Sequence, residues 1–282
     1  MFLQYKIDSR TLTVKTPDET NFFYGENICL SEINDITKNT EWYERGYVVR
    51  DFSHIIPFED IKNSITESIK KIIELNYPNI NLDNFLIENY HNFIKPNQHL
   101  FLDKLYKRLY PEDLGFKDEK ILQFISSEIG TDLSYKDTSK NFEHWIIVRI
   151  NMPASTGACG FNPAHKDIYE DYDERNHIPK MVNTWIPICG VNSITGLPIV
   201  PGSHLLKECD LLRTKSGSFI ENQKYSVNCI KSWSGRNDMQ TIAPNEGHLL
   251  IFSSHLIHGL GRNNNENITR VSLEFRLHEK TI

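Results

Sequence analysis

The chain has 282 residues, 39% of them hydrophobic and 24% charged, enough apolar material to bury a core without covalent staples. A net charge of −6 argues against nucleic acid as a partner, since phosphate binding needs a clustered basic surface. The five cysteines (Cys29, Cys159, Cys189, Cys209, Cys229) are scattered, odd in number and never spaced CxxC, which argues against a disulfide framework or zinc knuckle and for a reducing compartment.

The opening MFLQYKIDSRTLTV has no basic segment followed by an apolar one, so no signal peptide is expected. No apolar run approaches the roughly 20 residues of a membrane span, and the expected location is the cytoplasm. A short strand is predicted at Gly46–Arg50. Ile61, Ile65, Ile69, Ile72 and Ile73 recur at helical spacing between Pro57 and Pro78, predicting a helix bounded by those prolines. A second helix is expected over Gln98–Leu109, stopping before Pro111. Its basic residues Lys104, Lys107 and Arg108 alternate with Leu102, Leu105 and Leu109 and read as the solvated face of an amphipathic helix. A third is expected over Asp118–Ile129, closed by Gly130.

The second half changes character. His144–Asn151, Met181–Val191, Leu197–Val200, His248–Ser254 and Thr269–Leu277 are short, β-branched or aromatic, and separated by Gly, Pro and Asn. Such punctuation predicts antiparallel strands in a sandwich or barrel. No repeat or linker divides the chain. The expectation is one domain, 1–282, of α+β class with a mainly β core: residues 1–140 supply helical support and substrate-side elements, and 141–282 a barrel-like double sheet.

Within the β half, His165 and Asp167 are two residues apart, so in extended backbone both point to one side and can reach one ion. His258 closes the apolar run Leu249–Phe252 and can supply a third ligand. Two histidines and one carboxylate leave open positions on an octahedral metal, which suits iron(II). After a polar turn (262–267) come Arg270 and Ser272, which share a strand face. If Thr269–Leu277 pairs antiparallel with the preceding strand, Arg270 returns toward the metal, and the two side chains can grip a carboxylate. His255 competes with His258 for the third place. His258 is preferred, because it lies nearer the turn and is followed by Gly259, where backbone can approach closely; His255 is then a structural histidine.

HKD at 165–167, GLPIVPGSH at 196–204, GHLLIFSSHLIHG at 247–259 and RVS at 270–272 together resemble the phytanoyl-CoA dioxygenase-like family of iron(II)/2-oxoglutarate oxygenases. The stretch 165–204 is similar in part to ectoine hydroxylase, and the likeness extends over about residues 42–277. The resemblance implies a double-stranded β-helix (jelly-roll, cupin-like) fold, and Fe(II), 2-oxoglutarate and O2 as cofactors. It makes His165, Asp167 and His258 the metal-binding catalytic residues and Arg270 and Ser272 the cosubstrate grip. It also makes the Pro201–His204 turn structural, with Ser203 capping it. A carboxylate at 167 implies hydroxylation or another oxidation, because related halogenases carry a small residue there.

Parity places Glu274 and Arg276 on the face of Arg270, and Arg149 and Asn151 on a shared face of their own strand. Arg149, Asn151 and Glu274, with the acidic stretch 170–174, are therefore candidates for binding a small polar substrate that carries a cation. The alternative is that Glu274 simply pairs with Arg149 or Arg276. Trp145, Trp185 and Trp233 read as core residues rather than substrate platforms. No nucleic acid, no membrane, and a monomer or homodimer are expected. Two other functions stay open: a cupin-like metal-dependent sugar isomerase or epimerase, and a non-catalytic module on a degenerate oxygenase fold.

Overall fold

The computed structural model describes residues 1–137, 142–143, 146–156, 161–171, 178–215 and 217–280. The predicted helices form where periodicity and breakers place them. Phe58–Asn76 buries Ile61, Ile65, Ile69 and Ile73 and carries Glu59 and Asp60 in its first turn, where acidic groups complement the helix dipole. Pro96–Tyr106 begins two residues earlier than expected because Pro96 occupies its first turn, and Gln98 closes a capping box on the backbone of Lys95. It ends at Tyr106, and Leu109 instead bridges to Ile146. Glu119–Ile129 stops at Gly130, whose φ of +81° suits glycine at a helix end.

These helices cover one face of a six-stranded sheet. Its order runs Tyr47–Asp51, His248–Ser253, Met181–Cys189, Arg270–Glu279; Leu133–Ser134 and Ile147–Asn151 both pair with the last of these. Every ladder in it is antiparallel. The period of two sorts its side chains. Val271, Leu273, Phe275, Val148, Ile150, Leu249 and Ile251 pack with the helices. Trp185, Leu250 and Phe252 look the other way and pack with Leu197, Ile199 and Leu256.

The strand preceding Arg270–Glu279 is not its partner: Met181–Cys189 lies between it and His248–Ser253. The hairpin expected from sequence proximity is thus replaced by two long-range pairings. Leu197–Ile199 belongs to a second, four-stranded sheet with Asp238–Ile242, Phe2–Ile7 and Arg10–Lys15. Here the amino terminus, expected to be support, supplies strands. Leu3, Tyr5 and Ile7 are buried in alternation, and the first strand runs parallel to Asp238–Ile242. Among the described residues the sheets do not close into a barrel. They meet instead through isolated bridges at His165–His258 and Ile199–His258.

Candidate metal centre

The two bridges put the site where the sheets meet. His165 and His258 exchange backbone hydrogen bonds, His165 N–H to His258 O at 2.9 Å and His258 N–H to His165 O at 3.0 Å. Their rings lie with centroids 4.3 Å apart. The loop carrying His258 is pinned one residue earlier, where Ile257 N–H donates to Ser203 Oγ at 2.8 Å. The serine of the Pro201–His204 turn therefore caps the metal-side loop rather than its own turn. One residue later, a Cβ on Gly259 would lie 2.1 Å from Pro163 O and 3.2 Å from His165 Nδ1, and its φ is +127°. Only glycine fits this approach.

Each imidazole is oriented by a carbonyl two residues back along the chain. His165 Nδ1 lies 2.7 Å from Pro163 O and His258 Nδ1 lies 3.0 Å from Leu256 O. A carbonyl can only accept, so the proton sits on Nδ1 and the Nε2 lone pair is left for an ion. Asp167 completes the group, Oδ1 3.3 Å from His165 Nε2 and Oδ2 3.5 Å from His258 Nε2. One ligand atom from each of the three lies within 4.8 Å of the others. His255 is buried outside this group, with no partner for either ring nitrogen.

Asp167 is held from behind by Asn183 Nδ2 at 2.7 Å and Arg276 Nη2 at 2.9 Å. Burial alone would raise its pKa; Arg276 and the two histidines outweigh that and keep it well below the usual carboxylate range. His258 is pushed down to about 4, by burial first and His165 second. The donors are thus an ionised carboxylate and a neutral imidazole, the forms that bind metal. Lys166, pointing oppositely, is buried in an ion pair with Glu208 at 3.1 Å. Tyr169 Oη and Arg213 Nε also donate to Glu208, at 2.6 and 3.1 Å.

Arg270, Glu274 and Arg276 line the same chamber as His165, Asp167 and His258, as parity predicted. Arg270 is fixed by Asn151 Oδ1 at 2.6 Å and Thr195 O at 2.5 Å, and its guanidinium carbon lies 5.3 Å from the Trp185 ring centroid. Ser272 Oγ, on the same strand face, and Trp185 Nε1 are buried and have no hydrogen-bond partner among the described residues. Buried donors left in that state imply an acceptor from elsewhere, and a carboxylate beside Arg270 fits them.

Among the substrate candidates, Asn151 serves Arg270. Arg149 donates to both oxygens of Glu274, at 2.6 and 2.7 Å, so Glu274 has its charge answered within the protein. Of the acidic stretch 170–174, positions 172–174 lie outside the described residues, as does Trp145. Trp233 is buried in the core beneath the first strand, whereas Trp185 reaches the chamber. Asn183, Trp185, Thr195, Phe161 and Asn162 were not anticipated. For Asn183 and Trp185 a signal existed: both share the inward parity of the strand Met181–Cys189.

The family model described as phytanoyl-CoA dioxygenase matches residues 93–271, more than half the chain. None of the curated proteins matches in sequence. Among solved structures, the chain is similar to EctD from S. alaskensis with 2-oxoglutarate and 5-hydroxyectoine: 12% identity, 98% of this chain and 86% of that one, TM-score 0.47. It is similar to AviO1 from Streptomyces viridochromogenes Tue57, with 14% identity over 91% and 97% and TM-score 0.46. It is also similar to the non-heme alpha ketoglutarate dependent epimerase SnoN from nogalamycin biosynthesis, with 12% identity over 85% and 80% and TM-score 0.46.

Proposed function

The chain belongs to the phytanoyl-CoA dioxygenase family, whose members use iron and 2-oxoglutarate, and from that premise we propose that it hydroxylates an unactivated C–H bond of a small polar metabolite. One oxygen atom of O2 enters the product and the other enters succinate, formed from 2-oxoglutarate with loss of CO2. His165, Asp167 and His258 hold iron(II). Arg270 and Ser272 bind the far carboxylate of 2-oxoglutarate, and Asn151 acts through Arg270. The six-stranded sheet and the four-stranded sheet, which packs on it through Leu197 and Ile199, correspond in this reading to the halves of a double-stranded β-helix.

The observation that carries the reading is the combination in one chamber of three preoriented metal donors with a buried arginine and an unpartnered serine hydroxyl. A metal site needing no anionic cosubstrate, such as that of a sugar isomerase, has no use for the last two. Iron, once bound with 2-oxoglutarate and O2, supplies the oxidising chemistry. The chain's own residues do the rest. The backbone carbonyls of Pro163 and Leu256 fix the imidazole tautomers, Asn183 and Arg276 orient Asp167, and Trp185 and Phe252 narrow the chamber against water. The ion pair of Arg149 with Glu274 forms the wall on the substrate side.

The test is spectroscopic and chemical. Anaerobic addition of Fe(II) and 2-oxoglutarate is expected to give a visible charge-transfer band, and air then yields succinate. A protein that binds Fe(II) but gives neither band nor succinate sinks the reading in favour of an isomerase or a binding module.

A further inference from the structure

A cavity of about 550 Å3 adjoins the metal chamber and shares Arg149, Phe161 and Asn162 with it. That volume suits one small metabolite. Its far wall comes from the helix Pro96–Tyr106, the hairpin of Ser218–Ile220 with Gln223–Tyr225, and Arg262. Most charges on the wall are already answered. Lys107 pairs with Asp103, and Arg149 pairs with Glu274. Glu221 is exposed and accepts from Lys15 N–H at 2.7 Å.

Arg262 is different. Its guanidinium carbon lies 4.2 Å from the Phe161 ring centroid, and its Nε is buried without a hydrogen-bond partner. No carboxylate among the described residues pairs with it. Stacking fixes the guanidinium plane but satisfies none of its edge donors, and a desolvated cationic donor favours an anionic acceptor. Arg262 also follows metal ligand His258 by four residues, so the two backbones lie at most roughly 14 Å apart.

Resting on the oxygenase reading, we infer that this cavity is the substrate site and that Arg262, stacked on Phe161, binds an anionic head group, a carboxylate or phosphate, on a polar molecule whose other end reaches the metal chamber. The geometry replaces the cationic substrate expected from sequence, because Arg149 occupies both oxygens of Glu274. The substrate is a polar monoanion or dianion short enough to span from Arg262 past Phe161 and Asn162 to His165.

Calorimetric titration of the purified full chain, without iron or 2-oxoglutarate, tests this with four matched probes: gluconate, glucose 6-phosphate, glucose and glucosamine. The expected order is one of the two anions tightest, with the better anion identifying carboxylate or phosphate. Arg262→Gln is expected to weaken that anion by roughly tenfold or more. Arg262→Lys should lose less than Arg262→Gln. If neither anion binds more tightly than glucose, or if Arg270→Gln rather than Arg262→Gln abolishes binding, the inference is overturned. The charge-transfer band reports separately on the oxygenase reading. A chain with the band but no Arg262-dependent anion binding keeps the function and loses this substrate class; the converse result does the reverse.

Discussion

His255 and His258 stand three residues apart in one buried segment, and the difference between them is a matter of hydrogen bonds. His258 Nδ1 has the Leu256 carbonyl and so turns Nε2 toward His165 and Asp167; among the described residues His255 has no hydrogen-bond partner on its ring and belongs to no cluster of metal-ligand type. His258→Ala is therefore expected to lose Fe(II) binding by at least roughly 100-fold, while His255→Ala binds Fe(II) within about threefold of wild type but melts at lower temperature. Equilibrium dialysis and a thermal melt separate the two effects, and loss of iron from the His255 variant alone would reverse the assignment. Ser272 makes a second test. Removing its hydroxyl deletes one hydrogen bond of about 1–2 kcal/mol to a charged acceptor, so Ser272→Ala should bind 2-oxoglutarate roughly tenfold more weakly with Fe(II) affinity unchanged, measurable by titrating the charge-transfer band. His165 with Asp167, and Arg270 with Ser272, were legible as pairs sharing one side because a spacing of two fixes that side in extended backbone. The supports of Asp167 were less so: Asn183 lies 16 positions away, and only the sheet brings it there.

Elements explain why the site is rigid. The segments around His165 and His258 are tied by two backbone bonds and by a glycine that admits no side chain. Gly259→Ala would drive a methyl group into the Pro163 carbonyl at an unfavourable φ, and it is expected to destabilise the fold by about 3 kcal/mol or more. Urea denaturation of the metal-free protein measures this, and an unchanged midpoint would show that the two segments are not locked as described. The helices were readable because isoleucines recur at their period and prolines or glycine bound them. The first strand carried an equally regular alternation of Leu3, Tyr5 and Ile7, but one of its two partners is more than 230 residues distant, and alternation does not name a partner. Proximity misled at the other end, where Met181–Cys189 enters between two strands that are neighbours in sequence.

At the scale of the molecule, several histidines are buried in their neutral form. His255 is pushed down to about 4 by burial, and His204 and His99 are lowered by burial as well. Each has a folded pKa below its ordinary value, so the unfolded chain binds more protons between the two. Stability from these groups is fully present above about 6.5 and is lost as pH falls toward about 4. The depressed carboxyl of Glu208, where burial is the largest single effect but Lys166, Tyr169 and Arg213 together outweigh it, extends the loss to lower pH. Urea midpoints of the metal-free chain should accordingly plateau above about pH 6.5 and fall steadily below it; a midpoint flat from pH 7 to 4.5 would refute this account. The strand inserted at the middle of the six-stranded sheet bears on how the chain reaches this state. His248–Ser253 and Arg270–Glu279 are close in sequence, yet each pairs with Met181–Cys189 and not with the other. The sheet is therefore built on non-local contacts, whose loop-closure cost slows folding. The metal donors are likewise far apart in the chain, His165 and Asp167 before Met181–Cys189 and His258 well after it, so they meet only in the folded protein.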